Sequence, residues 1–215
     1  MKFLSILVIA LILAVWLFTA ARQFFAALKE RDWMGFMGVL AATFITIGAL
    51  GFFGSALAAM GALNWLPKSF EWPVGFSKGV VSTMDHAFAV PHTPTGRIQI
   101  YDGDWKFVRG WNVDAGGGTF KLYVTDSNRI HVITARKQMH YAYDLEGRLI
   151  SSERYSAKGE SYSSFPQEGR GYSVPTPALL WVFSNPLYSW MAGAIGIALF
   201  VAKKKFREES LASPL

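Results

Sequence analysis

The chain contains no cysteine, which excludes disulfides, thiolate metal centres and iron–sulfur clusters. It is also poor in charge: Asp, Glu, Lys and Arg make up 17% of its 215 residues, against about 25% in a soluble globular protein. The shortage is uneven. Lys2 is the single charge from Met1 to Ala21, and none occurs from Trp33 to Leu66 or from Gly171 to Ala202. The apolar spans within these runs hold no Asp, Glu, Lys, Arg or His, which argues against an ion pathway or proton relay.

The segment from Lys68 to Arg170 is different, with 13 basic and 11 acidic residues. The net charge of +6 therefore sits mostly outside it, in Arg22, Lys29 and Arg31 and in Lys203, Lys204, Lys205 and Arg207. A pI near 9.5 would suit nucleic acid only with a clustered basic face on the soluble part. Juxtamembrane lysines account for it instead, and no nucleic-acid partner is expected.

A bilayer core of about 30 Å needs about 20 apolar residues in a helix. Phe3 to Ala21 meets this as a first span. Its single basic residue and long apolar run favour retention over cleavage as a signal peptide. Trp33 to Leu66, about 51 Å if wholly helical, reads as one tilted span from about Met34 to Leu57, with a helical extension toward Trp65 that stops before Pro67. Small residues recur every fourth position along it, as Gly51, Ser55, Ala59 and as Gly54, Ala58, Ala62, a spacing that lets another helix approach closely. The third span falls between Ala178 and Ala202. Asn185-Pro186 interrupts it, and a kinked helix that includes Leu179 to Phe183 is expected. Trp181, Tyr188 and Trp190 would then lie at interface depth.

The expected fold is thus a membrane α-helical anchor of three transmembrane helices with a small all-β domain between the second and third. Residues 1–66 carry two spans around a loop at 22–32, residues 67–155 the β domain, 156–177 a Gly/Ser/Pro-rich linker, 178–202 the last span and 203–215 a basic tail. Lys203, Lys204, Lys205 and Arg207 place that tail in the cytoplasm. Seven basic residues flank the spans on that side and four on the other. The expected product is a multi-pass protein of the cell membrane with its β domain extracytoplasmic.

From Gly79 to Glu153, short β-branched and aromatic runs alternate with turn residues. Eight strands are expected, near Gly79–Thr83, Ala87–Pro91, Arg97–Asp102, Lys106–Trp111, Thr119–Thr125, Arg129–Ala135, Met139–Asp144 and Arg148–Glu153. They form two antiparallel groups of four (79–111 and 121–153) that align at an offset of 42 residues. Val90 then meets Val132, Tyr101-Asp102 meets Tyr143-Asp144, and Lys106-Phe107-Val108 meets Arg148-Leu149-Ile150. A period of about 40–45 with four strands per unit is that of a propeller blade.

Arg97-Ile-Gln-Ile-Tyr-Asp-Gly-Asp-Trp-Lys-Phe-Val108, followed by Phe120-x-Leu-x-Val-Thr-Asp-Ser-Asn-Arg-Ile-His-Val132, resembles NHL and related six-bladed β-propeller repeats. Gly147 matches the turn glycine of that pattern, and Trp105 stands in its place in the first unit. Two blades do not close a ring, which takes typically four or more. The resemblance implies binding rather than chemistry. The small-residue stripes on the second span and a domain of only two such units lead to the expectation of an interaction or assembly module, an accessory subunit of a membrane complex, with membrane lipid around it and a second copy or another membrane protein as partner.

The candidate chemistry is thin. With Arg136-Lys137 as a two-residue turn, Ile133 faces His140 and His131 faces Ala142, so both histidines fall on one sheet face as diagonal neighbours, about 7–8 Å apart at the backbone, with no carboxylate or cysteine evident to complete a zinc site. Asp85-His86 sits in a turn, and Ser161 to Ser164 lies in the linker without a nucleophile-elbow pattern. No catalytic, cofactor or metal residue is therefore assigned. Tyr101, Trp105, Trp111, Tyr123, Tyr141 and Tyr143 form a candidate partner surface. The alternative is an enzyme or transport component with a pocket at the domain–membrane junction, near Trp65, Trp72 and Trp181.

Overall fold

A computed structural model of the chain describes residues 18–19, 21–23, 25–27, 29–30, 32–125, 128–166 and 169–212. The expected first span, Phe3 to Ala21, falls almost wholly outside them. The chain divides into two compact units, Met1–Leu50 with Trp190–Leu215, and Gly51–Ser189.

Among the described residues two helices reach membrane-spanning length, α1 (Trp33–Ala59) and α2 (Pro186–Ala212), each 27 residues long. Both contain a stretch long and apolar enough to cross a membrane, and both leave large apolar side chains such as Phe53, Trp190, Ile197 and Phe200 uncovered. Within the first unit the helices meet through small residues. A Cβ on Gly196 would lie 2.6 Å from the Ile45 nitrogen and 2.7 Å from the Ala41 carbonyl, and one on Gly193 would lie 3.6 Å from the Gly48 Cα. Backbones this close gain dispersion contacts that lipid cannot match. Thr43 and Thr46 return their hydroxyl protons to Val39 and Ala42 carbonyls, both at 2.9 Å, so neither presents an unpaired group.

Helix boundaries differ from expectation at two places. Helix α1 does not extend toward Trp65. The Gly61 nitrogen bonds the Ala58 carbonyl and the Ala62 nitrogen the Leu57 carbonyl, with Gly61 at φ +84°, and this left-handed cap ends the helix. Nor is the third apolar run one kinked helix. Ala178–Phe183 is a separate 3-10 segment, and α2 starts afresh at Pro186, where the Asn185 side chain accepts the Leu187 N–H at 2.9 Å. Proline at a first helical position loses no bond there.

Among its described residues the second unit holds nine strands: β1 (Phe76–Ser82), β2 (Phe88–His92), β3 (Arg97–Tyr101), β4 (Phe107–Asn112), β5 (Phe120–Val124), β6 (Ile130–Thr134), β7 (Met139–Tyr143), β8 (Leu149–Arg154) and β9 (Arg170–Ser173). They form two antiparallel sheets, ordered β4-β3-β2-β1-β9 and β5-β6-β7-β8. The first has five strands rather than four, because part of the expected linker returns as β9 along β1. Its glycines permit close approach: a Cβ on Gly171 would lie 2.8 Å from the Phe76 ring, and one on Gly169 would strike the Val80 backbone.

The 42-residue offset recurs in the backbone. Strands β2, β3 and β4 start at Phe88, Arg97 and Phe107, and β6, β7 and β8 start 42 residues later at Ile130, Met139 and Leu149. A bulge pairs Tyr101 with Phe107 and, at the same offset, Tyr143 with Leu149. The left-handed residues recur too, as His86 and Asn128, Gly96 and Gln138, and Trp105 and Gly147. Trp105 holds φ +60° without being glycine; its ring stacks on Phe88 at 4.5 Å and 6°.

Between the sheets lies the main core, which includes Val81, Ala89, Ile98, Ile100, Trp111, Leu122, Val132, Tyr141 and Tyr143. A smaller one on the far side of the first sheet gathers Val74, Val80, Val90, Tyr101 and Val174.

Candidate functional site

Strand alternation decides what each sheet face can do. On β3, Ile98 and Ile100 enter the inter-sheet core while Arg97, Gln99 and Tyr101 face away from it. These three clamp the segment that follows α1. The Arg97 guanidinium donates to the carbonyls of Pro67 (3.1 Å) and Phe70 (2.7 Å) and to Asn112 Oδ1 (3.0 Å). Gln99 Oε1 accepts from the Trp72 nitrogen at 2.6 Å, its Nε2 donates to the Trp72 carbonyl at 2.9 Å, and the Tyr101 hydroxyl donates to Glu71 at 2.9 Å. Burial, opposed by Tyr101 nearby, lowers the Arg97 pKa.

The equivalent face of the second sheet points the other way. Tyr141 and Tyr143 occupy the positions of Gln99 and Tyr101 yet belong to the inter-sheet core, and His131 and Ala142 face outward where Ala89 and Ile100 face inward. The two sheets thus stack front to back. The front of the second sheet carries Lys121, Tyr123, His131, His140 and Glu153 around the buried Ile133 and Ala142, and Phe165 packs edge-on to His140 at 5.8 Å.

Cross-strand pairs Ile133–His140 and His131–Ala142 follow the register expected from sequence, but the imidazoles are closer than that expectation implied. His131 Nδ1 and His140 Nε2 share a hydrogen bond of 2.8 Å, and the Tyr123 ring stacks on His131 at 4.8 Å. A carboxylate is also present: Glu153 Oε1 lies 3.4 Å from His140 Nδ1. Sequence reasoning misses it because Glu153 belongs to no motif and reaches His140 only across the β7–β8 pair. Burial, then His140 and Arg129, lowers the His131 pKa. Among the described residues no three His, Asp or Glu side chains converge as a metal site.

The candidate partner surface does not survive as a surface. Trp111, Tyr141 and Tyr143 are buried between the sheets, where large aromatics on inward strand positions fill the space, Tyr101 is buried in the smaller core on the far side of the first sheet, and Trp105 and Tyr123 are half exposed. The small-residue positions of α1 are partly engaged. A Cβ on Gly51 would collide with Ser189 and Phe183, Gly54 lies against Trp72, Ser55 and Ala58 are buried, and Ala59 lies beside Gly96, whereas Ala62 is exposed beyond the helix end. In the other unit Lys203 lies against Gly38, Lys204 and Lys205 pair with Glu208 and Glu209, and Arg207 is exposed. The Asp85 carboxylate accepts from Asn128 at 3.1 Å, and Ser161 and Ser164 bond within their own turn.

A cavity of about 450 Å³ opens where β1 and β5 begin. Along it lie the β1 irregularity between Ser77 and Val80, and Pro91 in β2 and Pro94 in the turn that follows. Its walls are Phe76 to Gly79, Pro91 to Pro94, Thr119 to Leu122 and Tyr162, with Ser184, Asn185 and Tyr188 at one end. Lys121 Nζ donates to the carbonyls of Tyr162 (3.1 Å) and Phe165 (3.4 Å) and sits 4.5 Å from the centre of the Tyr162 ring. Ser77 donates its hydroxyl proton to the Pro91 carbonyl at 2.6 Å. Trp65, Trp72 and Trp181 do not line this cavity. Trp72 is instead tied by its Nε1 to the Phe183 carbonyl at 3.1 Å.

His92, at the end of β2, has no motif to mark it. It is wholly buried, with Nδ1 2.7 Å from the Thr95 hydroxyl and Nε2 2.8 Å from the Ser184 carbonyl. A carbonyl only accepts, so Nε2 carries the proton and Nδ1 accepts from Thr95. Burial, opposed by the Ser184 bond, lowers its pKa to about 4.

Comparison with known proteins finds no family model and no curated protein that matches this chain.

Proposed function

We propose that the chain is a multi-pass membrane protein whose two blade-like sheets form an assembly module, an accessory part of a membrane complex, and carry out no reaction themselves. In this reading Phe3 to Ala21, α1 and α2 are the three spans, the NHL-like β unit is extracytoplasmic, and the Lys203–Arg207 end is cytoplasmic. The partner is a second copy or another membrane protein.

What supports the reading is β8. It forms the outer edge of the second sheet, and all six of its residues are exposed, with Leu149 at 53% and Ile150 at 46%. The corresponding edge strand of the first sheet, β4, is not left open in this way: the Gly110 N–H donates to the Lys68 carbonyl at 2.8 Å. A free, partly apolar edge is a template for another strand. The stack itself is closed off, because the segment after α1 covers the back of the first sheet and polar side chains finish the front of the second. A partner therefore meets β8 rather than adding a third blade.

Size exclusion in mild detergent with mass analysis tests this. A mass above one chain, falling to one chain in Ile150→Lys, is expected; a clean monomer with nothing attached refutes it. Sidedness is read separately. The chain has no native cysteine, so Lys106→Cys should react with an impermeant maleimide on intact cells and Glu209→Cys only after permeabilisation.

A further inference from the structure

We infer that the cavity between the starts of β1 and β5 binds an anionic phosphate group, the headgroup of a membrane lipid. Of the residues lining it, Lys78 and Lys121 are the charged ones; both are cations, and neither is in an ion pair among the described residues. The two are not equivalent. Lys121 is half-buried and already positioned, by two neutral carbonyls and a ring face that leave its charge uncompensated. Lys78 is exposed, and its ammonium makes no hydrogen bond with the described residues.

Around these charges stand hydroxyl groups of the kind that donate to phosphate oxygens. Thr119 and Tyr162 bond to each other on one wall, and burial raises the Tyr162 pKa, so its hydroxyl keeps its proton. Thr93 and Tyr188 line the other side. Phe76, Pro91, Phe120 and Leu122 supply an apolar wall that suits the glycerol and first acyl carbons of a lipid. The α2 N-terminus offers the anion little, because Asn185 already accepts the Leu187, Tyr188 and Ser189 N–H groups.

The choice of a lipid follows from Tyr188. It lies in the first turn of α2, a helix of membrane-spanning length, and interfacial tyrosines sit at headgroup depth. For the source of the phosphate the inference rests on the membrane reading; for the chemistry of the cavity it does not.

The test uses full-length protein reconstituted in nanodiscs of phosphatidylcholine with increasing phosphatidylglycerol. It is then stripped with detergent and weighed by native mass spectrometry. One phosphatidylglycerol retained in preference to phosphatidylcholine is expected, with retention about five- to tenfold lower in Lys78→Gln and in Lys121→Gln. Lys78→Gln is decisive if Lys121→Gln disturbs the Tyr162–Phe165 turn, since the Lys78 ammonium holds nothing in place. In a second arm, inorganic phosphate and glycerol 3-phosphate are titrated into the detergent-solubilised protein. Saturable binding that Lys78→Gln weakens, without retained lipid, keeps the anion site and assigns it to a solute. Equal retention of both lipids in all variants, or no binding in either arm, overturns the inference. Recovery of the chain in the aqueous fraction without detergent would remove the lipid source alone, leaving the phosphate arm to judge the cavity.

Discussion

Acidification should loosen the β unit, mainly through His92. In the folded chain its pKa is lowered to about 4 from 6.5, because burial penalises the imidazolium and the Ser184 carbonyl only partly offsets that. The unfolded chain therefore binds a proton in a range where the folded one does not. The stabilisation is fully present above about pH 6.5 and is lost progressively as pH falls through about 4. At 1.36 kcal/mol per pKa unit the total loss is about 3 kcal/mol, or roughly 10 °C in Tm for a unit of this size. His92→Gln keeps a donor for Ser184 and cannot titrate. Melting of the full-length protein in detergent, followed by tryptophan fluorescence between pH 7.5 and about 4, should give a steep decline for the native chain and a much shallower one for His92→Gln. His131, whose pKa is also lowered, contributes in the same direction; His131→Gln should leave most of the decline in place. An unchanged slope in His92→Gln would refute the assignment.

Other substitutions follow from the close approaches. Gly196→Ala drives a methyl group against the Ile45 and Ala41 backbone and should destabilise the helical unit by about 1–3 kcal/mol, whereas Gly193→Ala, with ordinary contact to Gly48, should be neutral within about 0.5 kcal/mol, both read by thermal melting in detergent. Gly147→Ala combines φ +70° with a Cβ 2.5 Å from the Trp111 ring, so a loss of about 2–3 kcal/mol is expected in urea titration of the native fold. Tyr101→Phe removes the donor to Glu71 and the acceptor for Gln99 Nε2 at 2.8 Å; about 1–2 kcal/mol should go, measured the same way.

Much of the β unit is readable from local chemistry. Alternation and turn residues place eight strands to within a few positions, and the register of His131 and His140 follows from the Arg136-Lys137 turn. What escapes is set by non-local partners. Strand β9 reads as part of a Gly/Ser/Pro-rich linker because its pairing with Phe76 and Ser77 lies far away in sequence. Arg97, Gln99 and His92 look like surface residues until the segment after α1 and the Ser184 turn cover them. The aromatic positions mislead for the converse reason: alternation says which residues share a face but not which face is covered, and two sheets stacked front to back bury opposite faces of equivalent strands. The α1 boundary is legible in principle. Met60-Gly61 is a helix-stop signal, outweighed by the uninterrupted apolar run around it.

The repeat shows where its regularity resides. Val90 and Val132 are identical at offset 42, but most equivalent side chains differ, while bulge, turn and left-handed positions coincide. Turn geometry sets strand register, and a slip of one residue would carry every side chain to the other face, so these positions are constrained even where the residues are not. Each repeat meets the constraint differently. Gly147 adopts its left-handed conformation freely, whereas Trp105 is held there by its stack on Phe88. His86 and Asn128 share a conformation, yet Asn128 alone reaches back to the first sheet's turn, through Asp85 and the Met84 N–H at 3.2 Å. Side chains are therefore free to diverge where the neighbours diverge. Ile100 meets the next sheet and stays apolar; its counterpart Ala142 sits beside His131 and His140 on a face with no sheet to follow. The polar residues on that face favour a stack of two sheets, and β8, partly apolar and paired on one side only among the described residues, is the open edge of the repeat.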